Sequence, residues 1–176
     1  MWIGTFRNGL FLYNLSTRQW QQYLPENAEG LPSDAIFSIK KQRNGTIWIA
    51  TTQGLRYYDV EKNTFCTVNH NKLDIDFIYC LYIDSDDNVW AGTRNNGLFR
   101  IDNKSKEIVG WSTPTLKDYY ITYLYQDSNQ NIWIGTNNNG LQYIEPTGMQ
   151  VRSLSPELSL SKNTICSIIE DQSKQL

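Results

Sequence analysis

Asn131-Ile132-Trp133-Ile134-Gly135-Thr136-Asn137-Asn138-Asn139-Gly140-Leu141 is one of four copies of a single pattern in this chain. The others are Trp2-Ile3-Gly4-Thr5 with Gly9-Leu10, Trp48-Ile49-Ala50-Thr51 with Gly54-Leu55, and Trp90-Ala91-Gly92-Thr93 with Gly97-Leu98. The four tryptophans lie 46, 42 and 43 residues apart. A self-similar period of this length fits one four-stranded propeller blade. The fold expected is therefore all-β, a β-propeller of four-stranded antiparallel blades, with four blade equivalents in 176 residues.

Each unit reads as four strands. The first is a short apolar run such as Ala35–Ile39, Phe77–Leu81 or Ile121–Tyr125. A polar turn follows (Arg43-Asn44-Gly45, Asp86-Asp87-Asn88 or Asn129-Gln130-Asn131) whose residues tolerate left-handed backbone angles. The Trp-containing run is the second strand and Gly-Leu opens the third, which ends at Asn14, Asp59, Asp102 or Glu145. The fourth carries one apolar residue six positions later: Trp20, Phe65, Ile108 or Val151. No stretch keeps a 3.6-residue apolar period, so little helix is expected. The blades are placed at 1–24, 34–68, 76–112 and 119–155, with a strand at 163–171 completing the first.

Gly4, Gly92 and Gly135 follow their tryptophans by two and share a strand face with them. A small residue there leaves room for a neighbouring chain, and Ala50 meets the same need. Trp2, Trp48, Trp90 and Trp133 are read as structural, filling the wedge between adjacent blades.

Composition excludes several functions. The chain carries 16 basic and 18 acidic residues, and no run of Lys or Arg exceeds Lys40-Lys41, so a nucleic-acid footprint is missing. Three cysteines, Cys66, Cys80 and Cys166, and a single histidine, His70, make a zinc site improbable, and buried free thiols are expected. Asp84-Ser85-Asp86-Asp87-Asn88 lacks the glycine and distal glutamate of a calcium loop. No cofactor and no metal are implied. No apolar run approaches the roughly 20 residues that span a bilayer, and no signal peptide is recognisable, so no membrane contact is expected of this stretch.

The last apolar run, Ile165–Asp171, matches Ile78–Asp84. Asp84 and Asp127 each precede their tryptophan by six, so the next tryptophan is expected at position 177. The chain thus reads as an excerpt of three complete blades and two parts of a fourth. It could close as four blades, or two copies could exchange strands into an eight-bladed ring.

Asn-x-Ile-Trp-Ile-Gly-Thr-x-x-x-Gly-Leu, preceded by an apolar strand ending in Asp, resembles the two-component regulator propeller repeat. Blade two departs most, with Lys41-Gln42 where Asp is expected and Ala50 for Gly. The resemblance implies the extracytoplasmic, periplasmic sensor region of a hybrid two-component histidine kinase of Bacteroides-type bacteria, answering to a saccharide. The stretch itself would be non-catalytic.

The turns between second and third strands and the connections between blades share one face of such a fold. The candidate ligand residues there are Arg7, Asn8, Arg94, Asn95, Asn137, Asn138, Tyr119 and Tyr120, joined by Asn96, Asn139, Glu26, Asn27, His70, Asn71, Lys72, Lys117 and Asp118. Amides, arginines and aromatics suit the hydroxyl edges and C–H faces of sugars. Asn is also simply a good turn residue. Two alternatives stand beside oligosaccharide sensing. One is a scaffold or dimerisation propeller. The other is a propeller lyase, which would need a metal and a general-base histidine that the lone His70 does not supply.

Overall fold

The computed structural model describes residues 1–70, 73, 76–111, 116, 119–147, 150–154, 160 and 162–171. It divides into two compact units, Met1–Leu81 and Tyr82–Leu176, with the division inside a strand. Fifteen strands and no helix occur among the described residues.

In the first unit, β1 (Trp2–Gly4), β2 (Leu10–Tyr13) and β3 (Trp20–Tyr23) form a three-stranded sheet. A second sheet holds β4 (Ile36–Lys41), β5 (Ile47–Thr51), β6 (Gly54–Asp59) and β7 (Thr64–Thr67) in chain order. The unit boundary cuts β8 (Ile78–Ile83), which is followed in its sheet by β9 (Val89–Thr93), β10 (Leu98–Ile101) and β11 (Ile108–Trp111). The last sheet holds β12 (Ile121–Gln126), β13 (Ile132–Thr136), β14 (Leu141–Ile144) and β15 (Val151–Ser153). Three of the sheets are complete four-stranded antiparallel meanders of a β-propeller, and the first has three strands among the described residues.

The repeat motif explains each sheet's core. β5, β9 and β13 are buried along their whole length, as expected for central strands covered on both faces. The leucine of Gly-Leu is wholly buried at Leu10, Leu55 and Leu98. In the first unit Trp2 stacks 5.6 Å from Tyr23 and meets Tyr58 of the next sheet edge-on at 4.9 Å. Leu10, Tyr23, Ile36, Ile49 and Phe65 belong to the same core, so the wedge between the first two sheets is apolar. In the second unit Trp133 stacks on Tyr143 at 5.0 Å and shares a core with Leu141 and Ile168.

The repeat glycines sit where neighbouring chain passes. A Cβ on Gly4 would lie 2.5 Å from Ile36 Cγ2, and one on Gly135 would lie 3.0 Å from Ile165 Cγ2. Both approaches fall beside the same kind of backbone bond: Ile36 N–H donates to Thr5 O (2.8 Å) and Ile165 N–H to Thr136 O (3.0 Å). Residues 163–171 therefore lie against the last sheet as β4 lies against the first, although they are not assigned to a strand.

A polar clasp accompanies this docking in the second unit. Ser85 N–H donates to Gln126 Oε1 (2.7 Å). One repeat later Ser128 gives both its N–H (2.9 Å) and its hydroxyl (2.8 Å) to Glu170. Cys66 and Cys80 are only half-buried and Cys166 is exposed, which corrects the expectation of buried thiols. Cys166 lies in the 163–171 segment with its side chain exposed.

Candidate recognition face

The residue six before each tryptophan organises the turn. Asp84 Oδ2 accepts the Trp90 indole N–H at 2.7 Å and Asn88 Nδ2–H at 2.9 Å, while its Oδ1 accepts the N–H groups of Asp86 and Asn88. Asp127 repeats the set with Trp133, Asn131 and Asn129. Gln42 does the same work for Trp48, at 2.7 Å from its indole nitrogen. Burial alone would raise the Asp127 pKa, but the side-chain bonds from Asn131 and Trp133 and the two backbone N–H groups outweigh it and hold the carboxyl below its ordinary value. These carboxylates are thus occupied by the fold. Among the described residues no group of three or more His, Cys, Asp or Glu could hold a metal ion.

At the other end of the blades, the motif threonine closes each turn. Thr51, Thr93 and Thr136 donate their hydroxyls to the carbonyls of Gly54, Gly97 and Gly140 at 2.7–2.9 Å. Gly140 adopts φ 70°, a conformation that costs other residues strain, while its N–H bonds to Asn163 O. The turn residues between Thr and Gly are therefore held rigidly and presented outward.

In the second unit this end gathers several of the expected ligand residues. The Arg94 guanidinium lies 6.0 Å from the centre of the Tyr120 ring, within cation–π range. Asn137 N–H donates to Tyr120 O at 2.9 Å. The Thr164 hydroxyl reaches Asn137 Oδ1 at 2.7 Å and Asn138 Oδ1 at 3.3 Å. Asn138 itself has φ 64°, the left-handed region in which asparagine is favoured. Tyr119 N–H is tied to Leu116 O. Asn95 lies in the turn between β9 and β10. The outcome is one cation, one phenol ring and several amides side by side.

In the first unit Arg7 lies 5.6 Å from the Phe6 ring, and Phe6 packs edge-on against Phe37 at 5.6 Å. Asn8 N–H donates to Thr5 Oγ1, and its carbonyl accepts from Gln22 Nε2. Asn27 Oδ1 accepts from Leu24 N–H at 2.7 Å, so it shapes its own loop. Asn71, Lys72, Lys117 and Asp118 lie outside the described residues. Sequence reasoning noticed the spacing of six before Trp but missed that it delivers the indole's acceptor. It also passed over Thr164, which carries no motif and gains its place only through the chain's return to the last sheet.

The model of the two-component regulator propeller matches residues 30–53, 72–95 and 115–138. Histidine kinase P4 of Formosa agariphila is 30% identical over 92 residues, covering 48% of this chain and 7% of that protein. Two solved chains, both extracellular domains from B. thetaiotaomicron, superpose with TM-score 0.78 at 26% and 25% identity. One is named as part of a one-component system and the other as part of a hybrid two-component system. Each match covers 98% of this chain and 24% of the solved one. Virginiamycin B lyase of Staphylococcus aureus shares the fold at TM-score 0.66 and 18% identity, over 86% of this chain and half of the lyase.

Proposed function

We propose, from the premise that this chain is built of two-component regulator propeller repeats, that it is a ligand-recognition portion of an extracytoplasmic sensor, and that its ligand is an oligosaccharide. The chain spans about a quarter of the solved extracellular domains and a small fraction of the histidine kinase it resembles. Any kinase activity would therefore belong to a longer parent, and the role assigned here is regulatory. The extracellular placement of the solved relatives supports a location outside the cytoplasm. The likeness to the lyase is one of fold and carries no activity.

The carrying observation is the cluster of Arg94, Tyr120, Asn137, Asn138 and Thr164 at one end of the second unit. A phenol ring offers a platform for the C–H face of a pyranose, and a guanidinium beside it reaches ring hydroxyls with several donors. The amides are held by turns, so little side-chain entropy is lost on binding. Asn95 and Tyr119 are proposed as further contacts in the second unit, and Arg7 and Asn8 as contacts on the equivalent turn of the first unit, taken by itself. A thermal-shift panel of plant and host oligosaccharides tests this, because a ligand that binds only the native state raises its melting temperature. A hit should be weakened at least tenfold in Arg94→Ala and Tyr120→Ala. A hit indifferent to both variants, or no hit in the panel, would overturn the assignment.

A scaffold reading is favoured by a different observation. The first sheet has three strands among the described residues, and residues 163–171 occupy the place of a blade's first strand against the last sheet. In β12 and β13 the pairing is Tyr125 with Trp133 and Leu124 with Ile134. The same register would set Ile169 opposite Trp2 and Ile168 opposite Ile3, with Asp171 as acceptor for the Trp2 indole. Two copies exchanging these strands would form the eight-bladed ring.

A further inference from the structure

At position 100 a charged side chain stands across from the repeat tryptophan. On the strand after each tryptophan, the residue directly across from the indole is Leu12, Tyr57, Arg100 or Tyr143. Both tyrosines pack on their tryptophans, tilted at 5.5 Å for Trp48–Tyr57 and stacked at 5.0 Å for Trp133–Tyr143. Arg100 instead lays its guanidinium 5.8 Å from the Trp90 ring centre. Its Nη2 reaches Asp102 at 3.5 Å, but its Nε is buried and has no hydrogen-bond partner. Buried polar atoms are normally satisfied, and an exception calls for an explanation.

The remainder of the Arg100 side chain is partly exposed. A cavity of about 180 Å³ opens in the second unit, lined by Arg100 and Trp90 together with Asp86, Gln126, Ile132 and Glu145 among others. It sits at the end of the blades opposite the Arg94–Tyr120 cluster, where the turns between first and second strands lie. We infer that this cavity is a second ligand subsite, shaped for the hydroxyl edge of one neutral sugar ring, with Arg100 as its principal donor. The inference rests on the saccharide reading above and adds a site to it.

The charge pattern selects the ligand class. Arg100 opposes a cationic ligand, and three carboxylates, Asp84, Asp86 and Glu145, oppose an anionic one. A neutral molecule with vicinal hydroxyls satisfies both, accepting from the exposed part of the Arg100 guanidinium and from the Gln126 amide while donating to Asp86. Gln126 Oε1 is already held by Ser85 N–H, which fixes the side chain with its amide nitrogen as the remaining donor. Glu145 is anchored by Arg152 at 3.1 Å. Ile132 and the Trp90 indole supply the apolar wall that a ring's C–H groups require.

Titration of the ¹⁵N-labelled chain with glucose, galactose and glucuronate, read at the Arg100 Nε–H and Trp90 indole N–H resonances, tests the site. The neutral hexoses should shift both signals saturably in the millimolar range, and glucuronate should bind more weakly than either. Arg100→Tyr installs the residue of the second and fourth repeats, so it should fold with an unchanged or higher melting temperature and lose the hexose response at Trp90. Hexose shifts confined to Arg94 and Tyr120 and surviving Arg100→Tyr would overturn this site while leaving the proposed function standing. Tighter binding of glucuronate would overturn the neutral-ligand assignment. Silence everywhere to all three sugars would count against both.

Discussion

A buried indole N–H needs an acceptor, and the chain supplies one from six residues upstream, across a hairpin. Asp84, Asp127 and Gln42 are interchangeable in this role because each places an oxygen at 2.7–2.8 Å from the indole nitrogen. Asp127→Asn keeps one acceptor oxygen but turns an NH2 toward two of the four donors, so it should cost part of what removing both oxygens costs. Asp127→Ala leaves several donors unpaired and should cost about 2–3 kcal/mol, measured by denaturant unfolding. The pH dependence follows from the same bonds. The Asp127 carboxyl is held below its ordinary 3.8 in the folded chain. Its contribution is thus complete above that ordinary value and is lost as pH falls through the lower folded value. Unfolding free energy measured from pH 6 to pH 2 should show this loss in the wild type and a flatter acid limb in Asp127→Asn. The sequence displayed the spacing but not its purpose, because the acceptor and the indole meet only once the hairpin has formed. The departure at Gln42 looked like a weakened repeat and turns out to conserve the chemistry with another side chain.

At the level of strands, the motif reads almost directly into structure. The Trp runs became β5, β9 and β13, and the Asn- and Gly-rich stretches became the turns, since alternation and turn chemistry are local properties. Two substitutions test the contacts between neighbouring elements. Gly135→Ala forces a methyl to within about 3 Å of Ile165 side chain and carbonyl alike, so it should destabilise by roughly 1–3 kcal/mol. Thr136→Val removes the hydroxyl that closes the turn on Gly140 and should cost about 1 kcal/mol. Both are read as shifts in the denaturation midpoint, and a neutral Gly135→Ala would contradict the close approach. The candidate ligand residues were legible only in part. Arg94 and Tyr120 are far apart in sequence and meet through the docking of β12 beside β9, which no local pattern announces. Arg100 was invisible for a related reason: its oddity appears only when it is compared with the residues paired to the other tryptophans.

For the molecule as a whole, the question is what lies beside the first sheet and beyond residues 163–171. Strand exchange between two copies predicts a dimer by light scattering, converted to monomer when residues 163–176 are removed. A strict monomer of the intact chain would remove that reading. The repeat architecture implies that stability is carried within each repeat and between adjacent repeats. Composition had already directed attention away from nucleic acid and metal, because charge balance and histidine count are properties of the entire chain. It could not show which loops would come together, since the joining segments carry little pattern of their own.

The serine clasps have one further effect. A strand that slides along its neighbour by two positions keeps every apolar side chain on the correct side, so water exclusion alone would accept the error. Gln126 and Glu170 would then miss Ser85 and Ser128 by about 7 Å, two residues' rise along a strand, and each would leave its serine amide unmatched. The clasp acts as a detent: it lets one alignment of successive sheets lock and leaves the slipped ones loose enough to correct.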